Sequence, residues 1–285
     1  MKFRIILVLL FSALLLVEVS FPQNKGKLVI VGGVQVKSIM KKFVELAGGA
    51  NSKIIIIPNA GSEPVENSIE QVKEFKELGG NADYLIFTRE TADDESNLKK
   101  IDNATAFYFL GGDQSDLTRD MLGTKLLGKV FELYNKGGLV GGTSAGAAVM
   151  SEVMITGNEL INKDTERNFV TIEKGNVETT QGFGFLKTVV IDQHFLKRKR
   201  HNRTISTLIE NPKLIGVAID ESTAIIVNPD DTFEVIGDYQ VLVYDPTNSN
   251  NIRQNSKGNL GISEMKLHVL IEGDKFNLKT GKVIE

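Results

Sequence analysis

The stretch Leu139-Val-Gly-Gly-Thr-Ser-Ala-Gly-Ala-Ala-Val-Met150 decides the fold. Leu139-Val140 begins a short apolar strand, Gly142-Thr-Ser-Ala-Gly146 completes a G-x-S-x-G pattern, and Ala147 to Met150 favours helix. Strand, glycine-flanked serine and helix in immediate succession read as a nucleophile elbow. The sharp turn lifts the Ser144 hydroxyl above a sheet. The flanking glycines leave room for a strained backbone, and the helix N-terminus turns N–H groups and a favourable dipole toward a developing oxyanion. The N–H of Ala145 is the expected first oxyanion donor. A five-residue motif alone fits a glycine-rich turn with a capping serine equally well; the strand before it and the helix after it favour the elbow.

Upstream, apolar runs alternate with amphipathic segments. Leu28–Val31, Ile54–Ile57, Tyr84–Phe87 and Ala106–Leu110 read as strands. Helical patterns through Lys41–Leu46, Ile69–Leu78 and Leu117–Tyr134 separate them, with Gly48-Gly49 and Gly79-Gly80 as stops. Buried strands alternating with helices predict an α/β fold with a mainly parallel central sheet covered by helices on both faces. Active-site groups of such sheets gather at the carboxyl ends of strands, so the residues after Val31, Ile57, Leu110 and Val140 are the first candidates. Gly32-Gly33 ends a strand, but Gly32-Gly-Val-Gln-Val-Lys37 does not complete G-x-G-x-x-G, which argues against a dinucleotide site.

Downstream, Val189–Ile191, Leu214–Ile219, Ala224–Val227, Phe233–Ile236 and Gln240–Tyr244 read as strands. Turn signals at Asn228-Pro-Asp-Asp231 and Gly237-Asp238 suggest antiparallel hairpins appended to the sheet at the C-terminal end. Residues 245–262, rich in Asn, Ser, Gly and Gln, read as a mobile loop, and a last strand or hairpin covers roughly 266–283. Without an internal repeat or a clear linker, residues 26–285 read as one domain.

Composition narrows the function classes. The 285 residues carry a net charge of -3, too close to neutral for bulk nucleic-acid binding. The absence of cysteine excludes disulfides, thiolate metal sites and a cysteine nucleophile. Lys2 and Arg4 precede an apolar run from Ile5 to Val17, which together read as a signal peptide over residues 1–22, with processing between about Ser20 and Gln23. The expectation is an exported protein, secreted or periplasmic, with no stable membrane insertion once the signal is removed.

A serine nucleophile needs a base, and there are three histidines. His268 lies in the far C-terminal strands, and His201 follows a run of cations. His194 stands just after the strand Val189–Ile191, in Asp192-Gln-His194, at a strand end where catalytic groups collect. The base needs an acid to fix its tautomer. Glu221, in Ile219-Asp-Glu-Ser222, is the preferred choice; Asp220 and Asp192 compete with it, and spacing does not separate them. The order serine, histidine, acid differs from that of α/β-hydrolases.

Phe109-Leu-Gly-Gly-Asp-Gln114, Gly142-Thr-Ser-Ala-Gly-Ala147, Asp192-Gln-His-Phe195 with Arg198, Arg200 and Arg203, and Ala218-Ile-Asp-Glu221 stand in the order seen in cyanophycinases. The chain resembles these S51 serine peptidases, to which aspartyl dipeptidase is related. The resemblance implies a class I glutamine amidotransferase-like fold with Ser144, His194 and Glu221 as triad. It implies a second oxyanion donor near Gly112 and a substrate pocket that includes Gln114, Asp192 and Gln193. The implied substrate is cyanophycin, a polyaspartate with arginine on each β-carboxyl, cut by hydrolysis to β-Asp-Arg dipeptides without metal or organic cofactor. Arg198, Arg200 and Arg203 would then hold the free α-carboxylates of the polymer's arginines, since guanidinium forks match carboxylates. Acidic residues should meet the polymer's guanidinium groups, though the sequence does not single them out. Lys199 and Thr204 depart from the family pattern, where glycine and leucine are expected. The resemblance is compatible with a homodimer. Alternatives of other kinds are an aspartyl or isoaspartyl dipeptidase on the same fold and a non-catalytic polyanion-binding protein, for which the basic run 197–203 would be a solvated face.

Overall fold

The computed structural model describes residues 25–161 and 169–285; the expected signal peptide lies outside them. Five parallel strands form the centre: β1 (Leu28–Val31), β2 (Ile54–Ile57), β3 (Ala82–Tyr84), β4 (Ala106–Phe109) and β5 (Leu139–Thr143). The helices joining them are α1 (Lys37–Leu46), α2 (Pro64–Glu77), α3 (Glu95–Lys100), α4 (Gln114–Met121) and α5 (Lys125–Asn135), and the short α6 (Ala145–Ala148) follows β5. Next come β6 (Val153–Glu159), β7 (Val177–Gln181), β8 (Val189–Asp192), α7 (His201–Glu210), β9 (Ile215–Ile219), β10 (Thr223–Val227), β11 (Thr232–Gly237) and β12 (Val241–Asp245). The chain closes with β13 (Asn250–Gln254), β14 (Leu260–Ser263), β15 (Lys266–Leu270), β16 (Lys275–Asn277) and β17 (Lys282–Ile284).

The main sheet has nine strands in the order β17-β16-β11-β10-β1-β5-β4-β2-β3, with β10 antiparallel to β1. Its apolar runs serve two faces at once. Ile54 and Ile56 pack with Val29, Val31 and Tyr108 under α1 and α2, while Ile55 and Ile57 pack with Leu28, Ile30 and Phe109 on the opposite face. Such double burial is why these strands read as unbroken isoleucine and valine rather than as an alternation. Phe43, Phe75 and Tyr108 close the first face, with ring centroids 4.8 to 5.4 Å apart.

The opposite face is covered by α4, α5 and α6 and by a second sheet, ordered β15-β12-β9-β8. The strands Leu214–Ile219 and Gln240–Tyr244, expected as part of hairpins on the main sheet, belong here. β8 and β9 are parallel and joined through α7, a crossover that a tight hairpin could not provide. Val189, Ile191, Val217 and Ile219 face the main sheet; Val190 and Ala218 face Leu208 of α7.

Three further boundaries differ from expectation. The third strand pairs at Ala82–Tyr84, not Tyr84–Phe87; Leu85 N–H still donates to Ile56 O at 2.9 Å, and Phe87 is buried beyond the ladder, where its apolarity reports burial and not pairing. The helix expected over 117–134 breaks at Gly123, which takes φ +76°, a value glycine adopts freely. Thr124 then caps α5 by accepting from the Leu127 N–H at 3.1 Å. Within and just past the expected loop 245–262, residues 250–263 form the hairpin β13–β14, tied to the body by Leu260 N–H donating to Ile172 O at 2.9 Å.

Candidate active site

The elbow forms where β5 meets α6. Ser144 sits between them at φ 54°, ψ -109°, a left-handed conformation that costs an L-residue roughly 1–3 kcal/mol. It is held by Ser144 N–H donating to Val31 O at 3.1 Å and by the N–H groups of Ala147 and Ala148 donating to Ser144 O, each at 3.0 Å. The motif's last glycine permits the turn: a Cβ on Gly146 would lie 2.2 Å from Phe109 O.

His194 follows β8 and is also left-handed, at φ 49°. Its N–H donates to Gly32 O at 2.6 Å, which ties the loop after β8 to the end of β1. Gly33 supplies the space for the ring, since a Cβ there would lie 2.1 Å from His194 Cε1. This close approach is the role of the Gly32-Gly33 pair. His194 Nε2 is 2.8 Å from Ser144 Oγ, and Nδ1 is 2.7 Å from Glu221 Oε1. With the proton on Nδ1, the imidazole donates to Glu221 and accepts from Ser144. Such a series can take a proton from a hydroxyl. Burial depresses the His194 pKa below 6.5; the Glu221 hydrogen bond opposes this, and the charges of Arg198 and Arg200 add to the depression.

The three candidate acids have separate places. Glu221, in the turn between β9 and β10, meets His194. Asp220 accepts from Lys197 N–H at 3.0 Å and fixes the loop after His194. Asp192 is fully buried and turned away from the imidazole. It pairs with Arg203, whose Nε donates to Oδ2 at 2.9 Å and whose Nη2 donates to Oδ1, and it accepts from Thr204 Oγ1 at 2.6 Å. Burial would raise the Asp192 pKa, but Arg203, Arg200 and Thr204 together hold it below the usual carboxylate range. Thr204, where leucine was expected, therefore satisfies a buried carboxylate. Lys199, where glycine was expected, has φ 52°, a backbone that glycine adopts without cost.

On one side of Ser144 lies a cleft of ≈ 610 Å³ that includes Gly112, Gln114, Gln193, Arg198, Arg200 and Arg203. Gln114 donates its amide to Ile155 O at 2.8 Å and to Thr156 O at 2.5 Å, which fixes β6 as a wall. Arg200 donates to Gln193 O at 2.6 Å. Burial, with Arg203 and Arg198 nearby, lowers its pKa to about 9, so it remains a cation at neutral pH. Arg203 also lies over the Phe169 ring, 5.8 Å from its centroid. The Arg198 side chain is exposed and makes no hydrogen bond or ion pair among the described residues, while its N–H donates to His194 O at 2.9 Å. Of the expected substrate residues, Asp192 alone does not line this cleft and acts on it through Arg203. A second cleft of ≈ 460 Å³ lies across Ser144 and His194, and α2 brings Glu70, Gln71 and Glu74 to it. Sequence reading did not find these residues, since on a surface helix they look like ordinary solvated positions. No cluster of metal-ligating side chains occurs among the described residues.

Comparison with known proteins assigns the chain to a family. Residues 28–236 match the model of Peptidase family S51. A cyanophycinase of Geminocystis herdmanii is 30% identical over 90% of this chain and 95% of its own length. One of Thermosynechococcus vestitus is 33% identical over 91% of this chain and 81% of its own. The crystal structure of a peptidase from an acI-B1 Actinobacterium, 23% identical, shares the fold with a TM-score of 0.67 over 89% of this chain and 97% of that one. The chain therefore belongs to peptidase family S51 and is a serine-type peptidase.

Proposed function

We propose that this peptidase hydrolyses cyanophycin to β-Asp-Arg dipeptides, with Ser144 as nucleophile, His194 as general base and Glu221 as its orienting acid. The observation that carries the chemistry is the hydrogen-bonded series Ser144 Oγ, His194 Nε2, His194 Nδ1, Glu221 Oε1, at 2.8 and 2.7 Å. Ser144 Oγ attacks the scissile carbonyl carbon as its proton passes to Nε2. The oxyanion is met by the Ala145 N–H at the start of α6 and by the backbone N–H of Gly112. Collapse of this intermediate breaks the C–N bond, and His194 returns the proton to the leaving nitrogen. Water, deprotonated by His194, then releases the acyl group and restores Ser144.

The substrate assignment is supported by relatives named for cyanophycin hydrolysis and by the arginine cleft. Arg198, Arg200 and Arg203 present guanidinium groups beside the serine, suited to the carboxylates that each polymer arginine keeps. The test is incubation of the purified protein with cyanophycin and identification of products by mass spectrometry. Release of β-Asp-Arg is expected. Intact polymer, with hydrolysis of small aspartyl dipeptides instead, would replace this reading by the dipeptidase one.

The pH profile follows from His194. It accepts a proton only when neutral, so kcat/KM falls as pH drops through its pKa in the free enzyme. Because burial and the neighbouring arginines depress that pKa, the acidic limb should lie below pH 6.5. A limb centred above 6.5 in a kcat/KM series would contradict the depression of the His194 pKa by burial. Arg198→Ala removes one exposed guanidinium from the cleft. If it binds a substrate carboxylate, KM should rise roughly 10-fold or more, the worth of one charge-assisted hydrogen bond, with kcat little changed in steady-state kinetics.

Export is part of the proposal, supported by the basic start and apolar run of residues 2–17. Mass spectrometry of protein recovered outside the cytoplasm should give an N-terminus between Phe21 and Gln23. Full-length protein confined to the cytoplasm would refute it.

A further inference from the structure

A third cavity, of ≈ 730 Å³, is larger than either cleft beside Ser144 and shares no residue with them. Val189 and Ile215, the first residues of β8 and β9, line it, whereas the far ends of those strands lead to His194 and Glu221. The rest of its wall comes largely from α5 and from residues 278–281, after β16. Its volume is within the roughly 300–1,000 Å³ usual for small-molecule sites.

Four lysines and one carboxylate line this cavity. The carboxylate, Asp231, is taken by Lys279 at 2.8 Å. Lys25, Lys187 and Lys213 have no ion-pair partner among the described residues. Cations that share a cavity repel one another, and an anion placed among them removes that repulsion. No arginine is present, in contrast to the cleft beside Ser144. Ammonium groups act as point charges and impose no planar pairing, which suits several negative groups spread over one body.

The apolar part of the wall selects the body. Phe131 and Phe185 stack with ring centroids 4.3 Å apart, and Tyr134 meets Phe185 edge-on at 5.2 Å. All three line the cavity, and Phe131 keeps part of its surface open, so a flat ring can extend the series. Tyr134 is buried, yet its hydroxyl makes no hydrogen bond among the described residues. Burial, and then the charge of Asp231, push its pKa up to about 12. The phenol therefore keeps its proton at neutral pH and can donate to an anion.

We infer that this cavity is a binding site for an organic anion that carries two or more negative groups on a flat ring, held by Lys25, Lys187 and Lys213 through charge, by the Tyr134 hydroxyl, and by Phe131 and Phe185 through the ring. The charges and the aromatic wall each exclude a class of occupant. An uncharged ring leaves the lysines unpaired, and a charged chain without a ring leaves the aromatic wall facing water. The site is separate from the chemistry at Ser144, so its occupancy does not depend on the nucleophile or on the substrate proposed above.

The test is calorimetric titration of the purified protein with benzene-1,3,5-tricarboxylate, a flat ring with three carboxylates. Benzoate keeps the ring with one charge, and propane-1,2,3-tricarboxylate keeps the charges without the ring. The ring tricarboxylate should bind roughly 10-fold or more tightly than benzoate, the worth of a charge-assisted hydrogen bond, and roughly 3-fold or more tightly than the aliphatic tricarboxylate, the worth of an aromatic contact. Adenosine 5′-monophosphate is titrated beside it: tighter binding than the tricarboxylate assigns the negative groups to phosphate, weaker binding to carboxylate. The double variant Lys187→Gln, Lys213→Gln, at exposed positions, should weaken binding of the preferred ring anion roughly 10-fold or more. Tyr134→Phe, which keeps the ring packing, should weaken it a few-fold. Failure of both ring anions to bind would overturn the inference, as would equal binding of the ring and aliphatic tricarboxylates. So would binding that survives the lysine substitutions and is lost in Arg198→Ala, since that would place the anion in the cleft beside Ser144.

Discussion

Ser144→Ala is expected to lower kcat on cyanophycin by about 10⁶-fold, the loss seen when a serine nucleophile is removed from an assembled triad. Residual catalysis of roughly 10³–10⁴ over water should remain, supplied by the oxyanion donors and by binding. The fold should be intact. The Ser144 hydroxyl makes one hydrogen bond, to His194, while the contacts that shape the turn run through its backbone. Alanine at φ 54° carries the same backbone strain as serine, so the thermal midpoint should move little. Single-turnover kinetics with product analysis, beside a thermal melt, checks both halves. A variant within 10-fold of wild type would mean that Ser144 is not the nucleophile.

The largest effect on stability is expected at a residue that does not touch His194. Asp192 has no exposed side-chain surface and offsets the buried Arg203. Removing one partner of a buried ion pair leaves an uncompensated charge, at a cost of about 3–5 kcal/mol. Asp192→Ala also strips the acceptor from Thr204 and from the Gln193 N–H, which donates to it at 2.8 Å. That loss is a large share of the roughly 5–15 kcal/mol that stabilises a typical domain. A denaturant midpoint that falls steeply, with the slope unchanged, is the expected result. The pair also makes stability depend on pH. The Asp192 pKa is depressed in the folded state, so its contribution is present above the ordinary aspartate pKa and is lost as pH falls through the depressed value. Near-neutral stability of Asp192→Ala would show that Arg203 finds another counter-charge.

Ser144, His194 and Glu221 were legible because each follows an apolar run that is a buried strand, and strand ends are where side chains can reach a shared space. The ambiguity among Asp192, Asp220 and Glu221 was physical. All three are carboxylates at strand ends, and which one faces the imidazole depends on turn geometry and on distant partners. Asp192 is claimed by Arg203, eleven positions later on α7, and Asp220 by a backbone N–H of the loop 195–200. The hairpin β13–β14 was invisible for another reason. All five residues of Asn250–Gln254 are exposed, so neither face carries an apolar alternation to mark a strand. Glu70 and Glu74 escaped notice because a charged residue on a surface helix looks the same whether or not a cleft lies below it.

Ser144 belongs to the nine-stranded sheet, whereas His194 leaves the four-stranded one, and Glu221 rides on the link that passes from β9 in the second sheet to β10 in the first. The proposed proton route therefore spans a seam between two sheets, held together by apolar side chains and by backbone bonds such as His194 N–H to Gly32 O. Catalytic constellations tolerate displacements of only about 0.5 Å, so slippage along that seam would disconnect the relay while every strand ladder stayed whole. In mechanical terms, turnover is a gauge of slab alignment. Mild denaturant or pressure should silence hydrolysis before the far-ultraviolet signal of the sheets begins to fade.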